Sequence, residues 1–520
     1  MSAMTDKKLI LSIDNGTQSI RALLFDLKGK LVAKSQIELE AYFSKQPGWA
    51  EQHPEYFWQN LTTVCQNLWL QDSKLKQRVI AVALTTQRGT TICLDEHQKP
   101  LRPAIIWLDQ RLAAIEKPMP MHFRLVFKAL RQTQTIDYFR QKAQANWIAQ
   151  NEPEIWQKTD KFVLLSGYLT HKLTGEMKDS KACTVGYLPF DYKRQQWAAK
   201  SDWKWAALPL KKQQLSTLVE PGQPLGKITE QASIATGIPV GLPLIAAASD
   251  KACEVLGSGC HEPSTASLSY GTTATVNTNN SKHVEPQPFI PPYPSAIPKQ
   301  YNCEAMIYRG FWMVSWFKQE FGLRERIRAK ELGVSAESLF DELVNKVPPG
   351  SMGLMLQPYW SPSIKNLEAK GAILGFGDVH TRAHIYRAIL EGLAYALKEG
   401  LQTIEKRQKQ KVTRLIISGG GSQSDAVMQL SADIFNLPAQ RPHTYETSGL
   451  GAAINAAVGM GEFTDYDQAC KAMTHIEKIF QPNSGNVAMY EQLYKHVYLK
   501  LYKKLKPIYH KIRNITGYPE

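Results

Sequence analysis

The chain opens with an apolar strand, Leu9-Ile10-Leu11-Ser12-Ile13, a polar turn, Asp14-Asn15-Gly16-Thr17-Gln18-Ser19, and a second strand, Arg21-Ala22-Leu23-Leu24-Phe25-Asp26. Gly16 relieves the steric limits of this turn, and the hydroxyls of Thr17 and Ser19 add donors to its backbone N–H groups, so the turn could hold phosphate. Asp14 ends the first strand, where a carboxylate can anchor Mg²⁺ through water. Most Asp-Asn-Gly turns are merely hairpins, so this turn alone decides nothing.

Two related turns lie far along the chain. The stretch 266–276 again runs as a strand into Gly-Thr-Thr and returns as a strand, and the stretch 414–422 is an apolar strand that ends in three glycines before an amphipathic helix. A glycine turn between a buried strand and a helix lets a nucleotide lie against the backbone, while the helix N-terminus faces anionic oxygens. No P-loop pattern and no Gly-x-Gly-x-x-Gly occurs. The three turns therefore predict a two-lobed nucleotide clamp of a different kind.

Composition places the chain among globular proteins. Its 520 residues can form two or more domains, and 43% hydrophobic with 21% charged residues excludes a disordered or fibrous class. The longest apolar stretches are strand-sized, so no transmembrane helix is expected, and the first eight residues lack the apolar core of a secretory signal. Seven scattered cysteines without Cys-x-x-Cys favour a reduced cytoplasmic protein that has no structural zinc.

The net charge of +15 raises the hypothesis of nucleic-acid binding. Much of the surplus is local, however, in residues 123–142 and 495–513. The second segment predicts a C-terminal helix that packs through an apolar stripe and exposes a basic face. This interpretation is favoured over contact with nucleic acid or membrane. The apolar stripe is expected at Leu493, Val497, Leu501 and Leu505.

The order of predicted elements indicates two similar α/β halves. A third strand at 31–39, a helix near 54–70 and a strand at 79–85 extend the opening hairpin into a mixed sheet with packed helices. The remaining predictions are a helical insertion at about 110–205, a strand at 241–249 that ends at Asp250, a short helix at 251–256, a second unit from about 258, a proline-rich surface loop at 281–299, and a strong helix at 382–407.

Asp250 is the candidate base for phosphoryl transfer. This reaction needs in-line positioning, a metal and donors on the phosphate, and a base for the attacking hydroxyl. Asp250 follows a buried strand and begins a helix, so its carboxylate is fixed and held ionised by nearby N–H groups. On position alone an ordinary N-cap aspartate is at least as good an interpretation.

Two polar clusters at strand ends are candidates for substrate binding. Gln87 and Arg88 follow the strand at 79–85, which is where α/β proteins present ligand groups. Trp107, Asp109 and Arg111 follow another apolar stretch. Trp offers a face to sugar C–H groups, and Arg and Asp can fork onto hydroxyls. A structural salt bridge between Asp109 and Arg111 is an equal alternative.

These residues resemble the FGGY carbohydrate kinases, members of the actin–hexokinase–Hsp70 ATPase superfamily, over nearly the whole chain. Each motif is modest by itself, but their order and spacing are highly specific. The matching motifs are Asp14-Asn-Gly-Thr-Gln-Ser-Ile-Arg21, Pro47-Gly-Trp-Ala-Glu-Gln52, Gln87-Arg88, Trp107-Leu-Asp-Gln-Arg111, Gly371-Ala-Ile-Leu-Gly-Phe-Gly-Asp through His384 to Ala388-Ile-Leu-Glu-Gly392, Ser418-Gly-Gly-Gly421 and Ser448-Gly-Leu-Gly-Ala-Ala453.

The resemblance implies an α/β fold of two ribonuclease H-like (actin-like ATPase) domains, with mixed sheets flanked by helices and a cleft between them. Residues 1–257 would form the sugar-binding N-terminal domain and residues 258–520 the nucleotide-binding C-terminal domain. It also implies transfer of the γ-phosphoryl group of ATP, with Mg²⁺, to a hydroxyl of a small sugar or polyol. The expected partners are that sugar or polyol and ATP or ADP, without nucleic acid or membrane, and a homodimer is left open.

The resemblance also gives roles to individual residues. Asp14 would be the metal-linked aspartate, and Asp250 matches the catalytic base, which raises it well above the N-cap alternative. Gln87, Arg88, Trp107 and Asp109 fall at substrate positions. The remaining implied contacts are the first phosphate loop (Gly16, Thr17, Gln18, Ser19 and Arg21), the second phosphate loop (Gly271, Thr272 and Thr273) and the adenosine contacts (Gly420, Gly421, Ser424 and Asp425).

Departures from the family pattern concern the substrate side. Gln144-Ala-Asn-Trp147 replaces a motif that usually begins with Lys, and Gly89 stands where glycerol kinases place Glu. The Gln-Met-His typical of xylulokinases is absent as well. Lys251 follows the base where Gln is common; it could recognise a carbonyl, carboxylate or hydroxyl, or pair with a neighbouring acid. A pentulose, a polyol and glycerol all stay open as substrates.

Three rival functions account for less of this pattern. An actin- or Hsp70-like ATPase would share the phosphate turns but would not need the cluster at 107–111. A sugar-responsive DNA binder would need a helix-turn-helix ahead of residue 9, and none is recognised there. A degenerate sugar binder is disfavoured because the metal, phosphate and base positions are all filled.

Overall fold

The computed structural model describes residues 8–286, 290–334, 336–360 and 369–518. The segment 1–7, where no secretory signal is expected, and residues 287–289 of the proline-rich segment lie outside these ranges. The chain divides into two compact units. The division of the sequence into domains at residues 257 and 258 stays a prediction. Unit 1 comprises Met1–His261, Asn280–Asn302 and Glu446–Thr474, and unit 2 comprises Glu262–Asn279, Cys303–Tyr445 and His475–Glu520.

The described strands, in chain order, are β1 (Leu9–Asn15), β2 (Ser19–Asp26), β3 (Leu31–Glu38), β4 (Glu51–Gln52), β5 (Val79–Thr86), β6 (Thr91–Leu94), β7 (Ala104–Ile105), β8 (Lys161–Leu164), β9 (Lys178–Ser180), β10 (Phe190–Asp191), β11 (Gln196–Trp197), β12 (Thr217–Val219), β13 (Pro224–Lys227), β14 (Pro243–Ala246), β15 (Thr265–Tyr270), β16 (Ala274–Asn280), β17 (Tyr293–Pro294), β18 (Tyr301–Ile307), β19 (Met355–Gln357), β20 (Ala372–Leu374), β21 (Arg414–Ser418), β22 (Ala439–Pro442) and β23 (Ile476–Phe480).

The described α-helices are α1 (Pro54–Gln71), α2 (Met121–Ala129), α3 (Thr133–Lys142), α4 (Gln144–Asn151), α5 (Pro153–Lys158), α6 (Leu165–Thr174), α7 (Trp203–Ala207), α8 (Glu230–Thr236), α9 (Asp250–Gly257), α10 (Trp312–Phe321), α11 (Leu323–Leu332), α12 (Ala336–Asn345), α13 (Arg382–Gln408), α14 (Asp425–Phe435), α15 (Thr447–Gly459), α16 (Tyr466–Met473), α17 (Ser484–Leu493) and α18 (Leu499–Thr516). Short 3₁₀ turns lie at Ser73–Arg78, Lys181–Cys183, Lys212–Gln214, Ser351–Gly353 and Gly420–Gln423, and a π turn lies at Tyr494–Tyr498.

Unit 1 is built on a six-stranded mixed sheet in the order β13-β14-β5-β1-β2-β3. β1 and β2 form the antiparallel hairpin that the opening sequence predicts, and β1 is parallel to β5, which is parallel to β14. Every residue of β1 is buried, because helices cover both faces of this sheet. Phe57, Leu61 and Leu68 of α1 pack on one of these faces. The predicted β-β-β-α-β order is confirmed.

Helices α9 and α15 cross each other on the other face of this sheet at unusually close range. A Cβ at Gly257 would lie 2.0 Å from the carbonyl oxygen of Thr447, and one at Gly451 would lie 1.9 Å from that of Cys253. Neither glycine can carry a side chain without moving backbone. The crossing therefore fixes α9, the helix that begins with Asp250.

Residues 110–205 are less uniformly helical than predicted. Helices α2 to α5 do build a satellite core there, around Phe127 and Trp147. In contrast, β8 pairs with β6 in a second sheet, and α6 buries Tyr168 and Leu169 in the main core of unit 1. The apolar face of α6 therefore belongs to the main core of unit 1. Only part of the predicted insertion 110–205 forms a separate core.

Unit 2 repeats the arrangement of the first sheet. Its strands follow the order β18-β16-β15-β21-β22-β23, with β15 antiparallel to β16, parallel to β21, and β22 antiparallel to β23. The long helix α13 matches the predicted one and buries Ile389, Leu393 and Leu397 in the core of this unit. The predicted pair of similar α/β halves is confirmed.

Two surface predictions need correction. Of the predicted apolar stripe, Leu493 and Leu501 do pack against the core, together with the buried Tyr494 and Tyr498, whereas Val497 is 39% exposed. The π turn at 494–498 adds a residue to one turn and so shifts the helical register. In the proline-rich segment, Tyr293 and Pro294 pair with Asn302 and Tyr301, and Ala296 is buried. This part of the segment is therefore packed within unit 1 and is not a surface loop.

Within the described ranges, no helix is both long and apolar enough to span a membrane.

Candidate active site

Three strand ends meet at one edge of the sheet in unit 1. In the register of β1, β5 and β14, Asp14 is the partner of Thr85, and Leu84 is the partner of Ala246. Asp14, the segment 85–88 and the segment 247–250 therefore leave the sheet side by side at its carboxyl edge. The Thr85 hydroxyl donates to the carbonyl of Ala248 at 2.8 Å, which ties the end of β5 to the chain just before Asp250.

Asp14 is a buried carboxylate next to a cation. Its Oδ2 lies 3.1 Å from Nη1 of Arg21, and Nε of Arg21 lies 3.5 Å from Oε2 of Glu446. Burial, together with the neighbouring Asp250 and Glu446, raises the pKa of Asp14 to about 7 against the opposing effect of Arg21. The negative charge is thus incompletely compensated by protein. This oxygen donor set fits Mg²⁺, which takes one or two carboxylates and whose charge would supply the missing compensation.

Asp250 is the first residue of α9, and Ser249 is the N-cap, so the simple N-cap alternative for Asp250 is not what the structure shows. Its Oδ1 accepts the backbone N–H of Lys251 at 2.7 Å. Burial raises the pKa of Asp250, while Arg88 and Lys251 act in the opposite direction. The residue as a whole stays partly exposed. A carboxylate with this environment is held in place and is a better proton acceptor than an ordinary aspartate.

Lys251 makes an ion pair with a neighbouring acid. Its Nζ lies 2.7 Å from Oε2 of Glu254, one turn further along α9. Glu254 is buried and also faces Asp250, whose pKa it raises. Among the alternatives for Lys251, this pairing is the contact observed. The ammonium group lies close enough to Asp250 to lower its pKa as well.

Arg88 lies over the ring of Tyr293, with its Cζ 5.0 Å from the ring centroid. The positive charge of the same guanidinium opposes the effect of burial, which raises the pKa of both Asp250 and Tyr192. Gly89 follows with a φ of +69°, a conformation that glycine adopts without strain. A Cβ at this position would lie 3.6 Å from Cβ of Trp107, so position 89 adjoins the Trp107 side chain.

The first turn and the two substrate clusters are joined by hydrogen bonds. Nε1 of Trp107 donates to the Thr17 hydroxyl at 2.9 Å, and that hydroxyl donates to Oε1 of Gln87 at 3.0 Å. Within the turn, the N–H of Gly16 donates to the carbonyl of Ser19 at 3.0 Å, and the carbonyl of Gln18 accepts from Leu39. The structure thus brings three predicted substrate and phosphate residues into one chain of contacts.

Asp109 and Arg111 form the salt bridge that the sequence left as an alternative. Nη2 of Arg111 lies 2.8 Å from Oδ2 of Asp109, which also accepts the N–H of Ala50. The guanidinium lies 4.0 and 4.5 Å from the ring centroids of Trp49 and Trp147, which pack edge to face against each other. Asp109 is held by these contacts, and a direct contact with substrate stays a prediction for it.

In unit 2, the second and third turns lie next to each other. Ser269, one residue before the end of β15, is the parallel partner of Ser418, the last residue of β21, so the turn Gly271–Thr273 adjoins the glycine turn. A Cβ at Gly421 would lie 2.3 Å from the ring of Phe311. At Gly420 no described heavy atom lies within 4 Å of such a Cβ. This open backbone next to a helix start fits a nucleoside.

Ser424 and Asp425 begin α14. Ser424 is its N-cap, accepts the N–H of Val427 and donates to Asp341. The carboxylate of Asp425 pairs with Arg441 and Lys478 and is half exposed. Both side chains therefore stabilise the helix start in this structure, and their predicted contacts with adenosine stay predictions.

Sequence reasoning missed three residues around these groups. Glu446 pairs with Arg21 and with Lys34, and Tyr293 stacks with Arg88. Oε1 of Glu51 forms an ion pair with Nη1 of Arg111 at 3.0 Å and a second one with Arg102. Glu51 lies within the matched motif 47–52, which was a usable signal. Glu446 and Tyr293 come from distant segments and carry no local signal.

Comparison with known proteins agrees with this geometry. The model of the N-terminal domain of the FGGY family of carbohydrate kinases matches residues 9–257, and that of the C-terminal domain matches residues 266–460. The uncharacterized sugar kinase YgcE of Escherichia coli K12 is 32% identical over 96% of this chain and 94% of its own. The xylulose kinase of Lactococcus lactis is 29% identical over 97% of this chain and 98% of its own.

The fold is shared with a solved structure. The ligand-bound xylulose kinase from Lactobacillus acidophilus gives a TM-score of 0.81 at 21% identity, covering 97% of this chain and 100% of that one. Fold and site together define a phosphotransferase that acts on sugars or polyols. The chain belongs to the FGGY family of carbohydrate kinases. Such kinases use ATP with Mg²⁺, so the predicted cofactors are confirmed, as is the fold of two actin-like domains.

Proposed function

We propose that Asp250 is the general base of this kinase and that its substrate is a pentulose, a small polyol or glycerol. The observation that carries the proposal is the position of Asp250: it begins α9, is fixed by the N–H of Lys251, and yet stays partly exposed. Its raised pKa makes the carboxylate a stronger proton acceptor near neutral pH.

In the proposed reaction, Asp250 accepts the proton of a primary hydroxyl as that oxygen attacks the γ-phosphorus of ATP. The new O–P bond forms while the bond to the β-phosphate oxygen breaks and ADP leaves. Asp14 would hold Mg²⁺, which, when bound, neutralises charge on the phosphate oxygens. The turn Gly271–Thr273 would hold the phosphates, and the open backbone at Gly420 would receive the nucleoside.

The substrate side supports a sugar with several hydroxyls. Arg88 offers donors next to Asp250, and Trp107 offers an apolar face that is fixed through its Nε1. Gly89 removes the carboxylate that a glycerol kinase would place there, which favours a pentulose or longer polyol over glycerol. The relative from Lactococcus lactis, described as a xylulose kinase, supports the same choice.

An ADP-release screen over glycerol, tetritols, pentitols and pentuloses tests the substrate class. The base is tested with Asp250→Asn, which should still bind ADP·Mg²⁺ but lose at least about a thousandfold in kcat with the best substrate. Asp202→Asn is the matched control, because Asp202 is a carboxylate at the start of another helix of unit 1. Undiminished turnover in Asp250→Asn would exclude this residue as the base.

Two coarser expectations belong with this proposal. A cytoplasmic location suits a kinase that uses ATP, and fractionation of cells that express the chain would test it. Whether the chain forms a homodimer is tested by light scattering at micromolar concentration. A monomer there would remove the dimer from consideration without affecting the proposed chemistry.

A further inference from the structure

The C-terminal helix α18 is held against unit 2 by one of its faces. Tyr509 is 4% exposed, and its hydroxyl donates to Oε1 of Gln357 at 2.5 Å. Leu501 packs on the core of the same unit. Beyond the helix, Nζ of Lys370 donates to the carbonyl of Tyr518 at 2.6 Å. These contacts fix the rotation of α18 about its own axis, and thus which side chains it turns toward the protein.

A second apolar stripe runs along α18 outside this packed face. Ile508, Ile512 and Ile515 have the spacing i, i+4 and i+7, so they share one side of the helix. They are 52%, 38% and 84% exposed, respectively. None of them belongs to the apolar stripe that the sequence predicts for packing. The three isoleucines are therefore available to a partner outside the described part of the chain.

The same side of α18 carries positive charge. Lys504 and Lys511 are exposed and lie three or four residues from the isoleucines, so basic and apolar side chains alternate along the stripe. No Asp or Glu occurs in residues 492–519. Among the described residues, Lys495 pairs with Glu491, but no ion pair involves the six cations of α18, which are Lys500, Lys503, Lys504, Lys506, Lys511 and Arg513.

We propose that α18 binds the surface of a bilayer that contains anionic phospholipids, with the helix axis parallel to the membrane plane. A lipid interface offers both phases that this side of the helix requires: phosphate oxygens for the lysines, and the edge of the acyl region for the isoleucines. The helix lies on the membrane and does not cross it. This agrees with the described residues, which include no helix that could span a membrane.

Nucleic acid is the other polyanion that these cations could meet. Its backbone attracts lysine through phosphate charge, but it offers no apolar phase to a stripe of isoleucines. A partner that used only the charge would leave that stripe in water. The presence of both features on one side of α18 therefore favours a lipid surface, and binding to DNA is an outcome of the test.

Co-sedimentation with phospholipid vesicles tests this proposal on the full chain. The vesicles consist of phosphatidylcholine alone, or with about 30% phosphatidylglycerol to supply negative charge. We expect at least about tenfold tighter binding to the anionic vesicles, and a loss of this difference at high salt, because ions screen exposed charges. Equal binding to both kinds of vesicle, or binding to neither, would overturn the proposal.

Two double variants separate the charged and the apolar parts of the stripe. Lys504→Gln with Lys511→Gln removes two charges and keeps the isoleucines. Ile508→Gln with Ile515→Gln removes two apolar side chains and keeps the charge. Each double variant should weaken binding to the anionic vesicles about tenfold. An unchanged affinity in either one would overturn the part of the proposal that it tests.

The matched control removes the same amount of charge from the other basic segment. Arg124→Gln with Lys128→Gln acts on exposed residues of α2 in unit 1 and should change vesicle binding less than about twofold. An equal loss in this control would show that net charge acts without a specific surface, and would overturn the role of α18. Circular dichroism should be the same for all variants, because every substituted side chain is exposed.

Two further outcomes would each overturn the lipid assignment. If the wild type ignores vesicles and binds duplex DNA, with a loss in the lysine variant alone, α18 is a nucleic-acid surface. If the wild type ignores vesicles and forms a dimer that the isoleucine variant separates, the stripe is a contact between two copies of the chain. Vesicle binding needs no sugar, so a failure of the proposed function in the substrate screen would leave this result unchanged.

Discussion

Nη1 of Arg21 lies 3.1 Å from Oδ2 of Asp14, and the two residues are direct partners in the register of β1 and β2. Arg21 also reaches Glu446, so one guanidinium compensates two carboxylates that are largely buried. We expect Arg21→Met to lower the free energy of unfolding by about 2 kcal/mol, below the value for a fully buried pair because Arg21 is 31% exposed. Urea unfolding measures this change.

Two further variants make that test specific. In Arg21→Met with Glu446→Gln, part of the loss should be recovered, because the remaining carboxylate no longer faces a second one. Lys8→Met removes the ion pair of Lys8 with Glu462 in the same unit, which is 41% exposed at Lys8, and should cost less than about 1 kcal/mol. If the effects of Arg21→Met and Glu446→Gln on the free energy of unfolding were strictly additive, Arg21 would not couple these carboxylates.

Thr85 holds the chain segment that precedes Asp250. Its hydroxyl is fully buried and donates to the carbonyl of Ala248 at 2.8 Å. Thr85→Val keeps the shape but removes the donor, so we expect a loss of about 1–3 kcal/mol in stability and a fall in kcat of about tenfold or more with little change in KM. Steady-state kinetics with the best substrate measures kcat and KM separately and so checks this expectation.

Two control variants accompany Thr85→Val: one removes a different buried hydroxyl, and the other keeps a hydroxyl at position 85. Ser216 is buried, and its Oγ has no partner among the described residues, so Ser216→Ala should leave kcat unchanged. Thr85→Ser should retain most activity. A fall confined to KM would mean that Thr85 supports substrate binding and not the position of the base.

The crossing of α9 and α15 predicts intolerance to a single methyl group. Because a Cβ at Gly257 would lie 2.0 Å from the Thr447 carbonyl, Gly257→Ala must separate the two helices and displace α9. We expect a loss of about 3 kcal/mol or more in stability and reduced kcat in the folded fraction. Gly485→Ala is the matched control, since its Cβ would meet only the Asn483 side chain at 3.4 Å. Equal stability of the two variants would contradict the backbone contact.

The sequence was sufficient where local patterning controls the structure. The hairpin of β1 and β2, helix α13 and the start of α9 at Asp250 follow from apolar periodicity and from a polar residue at the end of a strand. It was insufficient where a contact depends on chain segments that meet only in space. The pairing of Glu446 with Arg21 and the stacking of Tyr293 on Arg88 are of that kind.

A π turn near the C-terminus also made the helical spacing of apolar residues an unreliable guide to burial. Leu493 and Val497 have helical spacing, but the π turn at 494–498 rotates the following residues, so that tyrosines face the core and Val497 faces solvent. Side-chain roles were the other limit. Thr17 resembles a phosphate donor in the sequence, and only coordinates show its hydroxyl between Trp107 and Gln87.

The buried carboxyl group of Asp179 should make the stability of the protein depend on pH. It is buried on β9, and its carboxylate accepts from the Ser166 hydroxyl and the Ser180 N–H, both at 2.8 Å. Ser180 in turn donates to the carbonyl of Ala247, close to Asp250. Burial raises the pKa of Asp179 from 3.8 to about 7, against these hydrogen bonds. The folded state therefore keeps a proton that the unfolded chain releases above pH 4.

Between pH 4 and 7 the folded state binds more protons at Asp179, so the free energy of unfolding falls as pH rises, by about 1.4 kcal/mol for each pH unit. Asp179→Asn cannot release a proton and should lack this slope, although it loses one acceptor and pays a constant penalty. Relative to the wild type, the variant should thus gain about 3 kcal/mol between pH 5 and pH 7.5. Urea unfolding of both proteins across this range measures the difference. Parallel curves would show that the carboxyl is already ionised in the folded protein at pH 5, and the raised pKa of Asp179 would then be wrong.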